Sequence, residues 1–192
     1  MPCGRVVIGL PVLAAVFAIQ AFAGPFALFP KANQLTSPNG HLVVHNATRE
    51  APGSEFVGAF ESLWLTDVDT GRSRKLCDYV GIAAVAWSGN DFLLVTEYMG
   101  KRTSRVLVLD VVRPEDSIVM DVPTLLRLVP APFKETLRQN DHLFVEASQL
   151  EGGSLHFRVW GYGHHDVDGF AWRCKHTLGD GAVSCENDSR AK

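Results

Sequence analysis

The sequence lacks a concentration of positive charge. Its 18 lysines and arginines are outnumbered by 21 aspartates and glutamates, and they are scattered along the 192 residues. Because nucleic-acid-binding proteins carry basic patches that neutralise phosphates, a nucleic-acid partner is not expected. After residue 23 the sequence also lacks an apolar run of the roughly 20 residues that a helix needs to cross a bilayer, so no membrane span is expected there.

The common sequence signatures of catalysis are absent as well. There is no G-x-S-x-G elbow of a serine hydrolase, and the serine in "WSGND" at residues 87–91 is typical of a turn. No glycine-rich loop ends in the Lys-Ser/Thr pair that binds phosphates. Acidic pairs such as Asp67 and Asp69 fit exposed turns. The sequence therefore favours a non-catalytic protein without a cofactor.

A single long apolar stretch lies at the N-terminus. Residues 6–19 are apolar apart from one glycine and one proline, Arg5 precedes them, and Ala21-Phe22-Ala23 matches the small-x-small pattern of a signal-peptidase site. We predict a signal peptide over residues 1–23 and export to the periplasm or the extracellular space. The alternative, an uncleaved anchor, is disfavoured because the run is shorter than a membrane span.

Cysteine is scarce, and its positions predict one disulfide. Gly-Asp-Gly at residues 179–181 is a strong signal for a tight hairpin turn. If the first two of these residues form the loop, paired residue numbers sum to 359 (178 + 181), which places Cys174 opposite Cys185. Opposed Cα atoms lie about 4.5–5.5 Å apart, within disulfide range. We therefore predict a Cys174–Cys185 bridge and a buried free thiol at Cys77.

Most of the chain after residue 23 reads as short β-strands. Runs of β-branched, leucine and aromatic residues alternate with Gly, Asn, Asp and Pro. One stretch differs, because its leucines have helical spacing and two prolines interrupt it. We predict an all-β fold, a single β-rich domain over residues 24–192, with a short helical insertion of two bent pieces at about residues 123–140.

The strands fall into three units, at about residues 33–80, 82–121 and 141–186. Each unit joins a tight polar turn to a strongly apolar strand, as in "LTSPNGHLVVHN" and "VAWSGNDFLLVTEY". These stretches resemble the strand–turn–strand pattern of WD40-like and TolB-like β-propeller repeats in short exported bacterial proteins. The resemblance implies consecutive antiparallel meanders with the strand count of propeller blades, and it implies no activity.

Three units are fewer than the four or more blades that close a propeller. The resemblance therefore implies an incomplete propeller, either as an open stack of meanders or as a half-ring that pairs with a second copy. A β-sandwich whose turns imitate those of blades stays open as an alternative.

The stretch "GYGHHDVDG" at residues 161–169 permits two interpretations. In the first, His164, His165, Asp166 and Asp168 are candidate metal ligands. Zinc requires four ligands in a tetrahedron, and calcium requires six to eight oxygens. Adjacent histidines in an extended loop point to opposite sides and cannot easily share an ion. The sequence therefore favours the second interpretation, a glycine-framed connection between two strands.

The tryptophans are expected to fill the core between sheets, with a ligand groove as the alternative for one or two of them. They are Trp64, Trp87, Trp160 and Trp172.

The functional hypothesis is an exported, non-catalytic binding module. An array of strands that does not close leaves an exposed sheet edge, whose unpaired backbone groups bind a protein partner or a second copy. Two alternatives remain: a secreted hydrolase or metal-dependent enzyme that uses the loop at residues 161–169, and a structural module that self-associates.

Overall fold

The computed structural model describes residues 26–49, 60–179 and 181–188, so the predicted signal peptide, residues 1–23, lies outside the described residues. As the sequence predicts, the described protein is mostly β, with antiparallel sheets and two helices. The strands are β1 (Ala27–Phe29), β2 (Gln34–Thr36), β3 (Leu42–Arg49), β4 (Phe60–Asp67), β5 (Ser73–Tyr79), β6 (Ile82–Ser88), β7 (Phe92–Met99), β8 (Thr103–Asp110), β9 (Ile118–Met120), β10 (His142–Glu151), β11 (Ser154–Tyr162), β12 (Phe170–Thr177) and β13 (Val183–Asn187). The helices are α1 (Val122–Leu128) and α2 (Ala131–Gln139).

The strands form three consecutive antiparallel meanders. The first meander is β2-β3-β4-β5, the second is β6-β7-β8-β9, and the third is β10-β11-β12-β13. Strand β1 pairs with β6 and so extends the second meander. A parallel bridge between Leu143 and Thr103 joins the second and third meanders into one sheet, while the first is separate.

The second meander lies between the other two and has a core on each face. Side chains alternate along β7, so Leu93 and Val95 pack towards the first meander while Leu94 packs towards the third. All three side chains are fully buried. A strand buried on both faces has a continuous apolar run instead of an alternating one, which explains the sequence "FLLV" at the start of β7.

Buried serines hold the third meander against the second. Ser104 Oγ lies 2.8 Å from both the amide nitrogen and the carbonyl oxygen of Val145 in β10. Ser88 Oγ donates to the carbonyl of Leu150 at 2.9 Å. These hydrogen bonds satisfy backbone groups of β10 where it crosses the second meander outside a regular ladder.

The predicted helical insertion is confirmed as two short helices. Asp121 caps α1, because its side chain accepts a hydrogen bond from Thr124 N at 2.8 Å. Pro130 separates the two helices and stands immediately before α2. Leu125 and Leu137 are buried in the core between the second and third meanders. The insertion therefore fills that core.

The described sheets do not close into a ring. Strands β1 and β13 are the outer strands of the larger sheet, and β2 and β5 are those of the smaller one. In the described part of the chain, neither helix is long and apolar enough to cross a membrane. The antiparallel meanders are thus established, and their kinship with propeller blades stays a prediction.

The predicted disulfide is confirmed. Strands β12 and β13 pair in the predicted register, with Cys174 opposite Cys185 and His176 opposite Val183. The two cysteines are bonded, and their Cα atoms are 4.1 Å apart. Because Cys174 is buried in the core between the second and third meanders, the bridge ties the outer strand β13 to that core.

Replacing Cys174 and Cys185 together with alanine is expected to lower the free energy of unfolding by about 2–3 kcal/mol, because the bridge restricts the unfolded chain. The cysteines are 11 residues apart, so the ring is short and the effect is moderate. Urea denaturation measures the loss. A reductant should destabilise the parent protein and leave the double variant unaffected, and equal midpoints for parent and variant would contradict the prediction.

Candidate functional site

One face of the third meander points away from the core. Leu143, Val145 and Val159 pack into the core between the second and third meanders. Their alternate neighbours therefore lie on the opposite face. We call this the outer face, and by the strand register it comprises His142, Phe144, Glu146, His156, Arg158, Trp160, Tyr162, Ala171, Arg173, Lys175, Ser184 and Glu186.

Two stacked pairs of rings stand on the outer face. His142 lies opposite Tyr162, and Phe144 lies opposite Trp160 in the ladder of β10 and β11. The ring centroids are 4.4 Å apart in the first pair and 4.2 Å apart in the second, with ring planes within 10° and 17° of parallel. Each β11 ring is therefore held on one side by a ring of β10, which fixes its orientation.

Small residues stand on the other side of these two rings. Ala171 of β12 lies opposite Trp160, and Gly169 immediately precedes β12 beside Tyr162. Gly169 has a φ of +77°, and a Cβ there would lie 3.0 Å from the carbonyl oxygen of Gly161. Glycine is therefore required, and the space beside the aromatic rings stays open.

This space is an open pocket of about 460 Å³, which we call the aromatic slot. Trp160 and Tyr162 form its wall, Gly169 and Ala171 form its floor, and Asp188 stands across from the wall. The amide nitrogen of Asp188 donates to the carbonyl of Ala171 at 2.8 Å, which continues the ladder beyond β13 and fixes this side.

Charges of both signs line the rim of the slot. Asp188 binds Arg173 at 2.8 Å and lies 3.4 Å from Arg158 Nε. Trp160 Nε1 is buried and has no hydrogen-bond partner among the described residues, whereas Arg158 Nε is paired with Asp188. Since buried donors are normally paired, the indole nitrogen of Trp160 is an unsatisfied donor in the wall of the slot.

The stretch at residues 161–169 forms a compact connection between β11 and β12. The carbonyl of Asp166 accepts hydrogen bonds from Gly169 N at 2.9 Å and Gly163 N at 3.3 Å. Its carboxylate accepts from Asn140 Nδ2 at 2.6 Å. Asp166 therefore closes the turn and fastens it to the end of α2.

The other candidate ligands of this connection point elsewhere. His164 and His165 are exposed, and Asp168 is exposed at the rim of the aromatic slot. Within residues 26–49, 60–179 and 181–188, no three histidine, cysteine, aspartate or glutamate side chains gather into a group that could hold a metal ion. The structure thus brings Asp168 to the slot, while the hydrogen bonds of Asp166 serve the turn.

Cys77 lies in β5, on the face that packs against the second meander. Burial raises the pKa of its thiol to about 12, and the negative charge of Glu97 adds to this rise while Arg105 opposes it. Because the thiolate is the reactive form of cysteine, this thiol is chemically quiet at neutral pH.

In a Cys3→Ser background, native Cys77 is expected to react with a disulfide reagent at pH 8 at least about tenfold more slowly than in the urea-unfolded chain. The native rate should keep rising to pH 10, since its pKa lies near 12. The unfolded rate should level off above the ordinary thiol pKa of about 8.5. A native rate that reaches a plateau near pH 9 would show that the thiol titrates normally.

The tryptophans divide between core and surface. Trp87 and Trp172 are buried as expected, whereas Trp64 and Trp160 are only partly buried. Sequence reasoning did not single out Arg158, Tyr162, Ala171 or Asp188. Side-chain alternation along the strand "LHFRVWGY" is a signal that places Arg158 and Tyr162 on the same face as Trp160. The position of Ala171 requires the register of β12 against β11.

No family model matches the chain, and it matches no curated protein.

Proposed function

We propose that the chain is an exported, non-catalytic binding module that binds through the outer face of the third meander. The observation that carries the proposal is the aromatic slot, with a volume of about 460 Å³. Small-ligand sites are typically concave, of about 300–1,000 Å³, and lined by aromatic and apolar groups with a few fixed polar groups. The slot lies in this range of volume, and its lining combines aromatic rings with fixed charged groups.

Two features support export. The N-terminal sequence has the basic residue, the apolar run and the small-x-small end of a signal peptide. The Cys174–Cys185 disulfide suits an oxidising compartment, where such bonds persist. A periplasmic or extracellular location is consistent with both features.

We further propose that the three meanders are blade-like units of an incomplete propeller. Each has four consecutive antiparallel strands, and hydrophobic cores lie between successive units. In a closed ring, the next unit would pack on the outer face of the third meander. We propose that in this chain the ligand takes that place.

The charged groups of the slot support binding over catalysis. Arg158 and Arg173 each pair with Asp188, so the three side chains are held as fixed hydrogen-bonding groups at the rim. Charge-assisted contacts of this kind orient a ligand with geometric specificity. No nucleophile paired with a base is required for this role.

Photo-crosslinking in the exporting cell tests the proposal. A photoreactive phenylalanine analogue is placed at Tyr162 on the outer face or, as a control, at Val119 in β9. Both parent side chains are 41% exposed, so the two positions are matched in accessibility. We expect an adduct from position 162 that is absent from position 119, with its mass identifying the class of ligand.

Two results would reject the binding face. One is the absence of any adduct at position 162 when the protein is folded and exported. The other is the same adduct from both positions, which would indicate nonspecific contact. Adding Trp160→Ala to the photoreactive variant should remove a specific adduct, because the wall of the slot is then lost.

Self-association is a second candidate function. It is favoured by the face of the first meander that points away from the second meander. Trp64 and His45 lie opposite each other on the face of the first meander that points away from the core, and both are only partly buried. A second copy packing its third meander on this face would form a two-fold ring. Sedimentation should then show a dimer that Tyr162→Arg dissociates, whereas a concentration-independent monomer rejects this candidate.

A further inference from the structure

We propose that the aromatic slot binds a sugar ring of a neutral oligosaccharide. The inference rests on the proposed binding function and names the chemical class of the ligand. A pyranose ring has an apolar face of C–H groups and a rim of hydroxyls. The slot offers a matching combination, with an aromatic wall and a polar rim.

The aromatic wall is organised before any ligand arrives. His142 and Phe144 stack on Tyr162 and Trp160 and so cover one face of each β11 ring. The opposite face of each ring lines the slot. Since the rings are already immobilised, packing a sugar on them costs little side-chain entropy. The contact removes apolar C–H surface and ring surface from water.

The floor of the slot sets the depth to which a ring can enter. Ala171 carries a single methyl group opposite the large ring of Trp160, and Gly169 carries none. A bulkier residue at position 171 would fill the space beside the wall. The small side chain of Ala171 therefore creates the cavity. Replacing Ala171 with a larger residue is a direct way to close the site.

The rim favours a neutral ligand over an ion. Asp168 and Asp188 would repel an anion, while Arg158 and Arg173 would repel a cation. The opposite charges of Arg158 and Asp188 lie within 3.4 Å and largely offset each other. Arg158 still presents hydrogen-bond donors, and Asp188 still presents acceptors. A hydroxyl group can bind to both, because it is itself a donor and an acceptor.

A buried, unpaired donor in the wall of the slot favours a ligand that carries oxygen atoms. Trp160 Nε1 has no hydrogen-bond partner among the described residues. Leaving a buried donor unpaired is unfavourable, so a ligand oxygen that reaches the indole nitrogen recovers part of this cost. An aliphatic ligand would leave the indole donor unpaired, which disfavours it relative to a sugar.

Calorimetry with a defined panel tests the inference. The probes are neutral tetrasaccharides of glucose, mannose, galactose and N-acetylglucosamine, with a tetrasaccharide of galacturonic acid as the anionic comparison. We expect saturable binding of at least one neutral probe, at least about tenfold tighter than that of the anionic one, because Asp168 and Asp188 repel an anion and the arginines are already paired with Asp188.

Three variants locate the binding. Trp160→Ala removes the wall, and Ala171→Leu fills the slot without removing any packing. Each is expected to weaken binding at least about tenfold. Trp64→Ala truncates a partly buried tryptophan on the first meander and should leave affinity within about twofold. Thermal melting of each variant verifies that it is folded, so that Ala171→Leu still decides the question if Trp160→Ala does not fold.

The outcomes separate this inference from the proposed function. If no neutral probe binds, or if binding survives both slot variants, the saccharide assignment is overturned. If position 162 then crosslinks specifically to a protein or a second copy, the outer face is still a binding face. If there is neither sugar binding nor a specific adduct, both the inference and the proposed function are rejected.

Discussion

Leu94→Ala is expected to lower the free energy of unfolding by about 2–5 kcal/mol, the range for truncating a fully buried leucine. Leu94 is 0% exposed and lies in the core shared by the second and third meanders. Its neighbours there belong to strands and helices that cannot easily collapse into the vacated space, because serine hydrogen bonds fix β10 against the second meander.

Urea denaturation followed by tryptophan fluorescence measures this loss. Leu28→Ala is the matched control, because the same side-chain atoms are removed from a leucine that is 49% exposed. Its cost should stay below about 1 kcal/mol, since less apolar surface returns to water. Equal losses in the two variants would contradict the burial of Leu94 between two meanders.

The same experiment on the opposite face tests whether the stack unfolds as one unit. Leu93→Ala truncates a residue that is also 0% exposed but lies in the core shared with the first meander. We expect a loss of similar size and a single transition in both variants. A second transition in either variant would show that the first and third meanders unfold separately.

Local sequence signals were enough to predict the elements. The Gly-Asp-Gly turn predicts the register of β12 and β13, and that register places Cys174 opposite Cys185. The prolines around residue 130 predict the break between α1 and α2. These predictions succeed because each depends on residues near one another in the chain, where turn chemistry and backbone restriction act directly.

The aromatic slot could not be predicted from such signals. Its wall comes from β11, its floor from β12 and its far side from Asp188, so its shape depends on the register between strands. The stretch at residues 161–169 attracted interest for its histidines. Its glycines matter more to the site, because Gly169 forms part of the floor.

The order of the meanders also lay beyond the sequence pattern. The apolar run of β7 indicates burial on both faces, but it does not say which elements cover them. That information resides in long-range contacts such as the hydrogen bond from Ser88 to Leu150. The serine fits a turn residue in the sequence, yet it lies at the end of β6 and is 5% exposed.

Glu97→Ala is expected to lower the free energy of unfolding by about 3 kcal/mol, because it breaks a buried ion pair by removing one partner. The side chain of Glu97 is 2% exposed. Its carboxylate accepts a hydrogen bond from Arg105 Nε at 2.7 Å and another from Val80 N at 3.1 Å. Its loss leaves the amide of Val80 without this acceptor. The Arg105 side chain is 33% exposed and can reach water, which keeps the cost at the lower end of the usual range.

A double-mutant cycle separates the ion pair from the amide contact. Arg105→Ala alone and combined with Glu97→Ala gives the coupling energy between the two side chains. Glu135→Ala on the exposed face of α2 serves as the control and should cost less than about 0.5 kcal/mol.

Loss of the Glu97 charge should also lower the pKa of Cys77 from about 12, since that charge helps raise it. The thiol should then react faster at pH 9 in folded Glu97→Ala protein, and an unchanged rate would mean that Glu97 and Cys77 do not face each other across the first and second meanders.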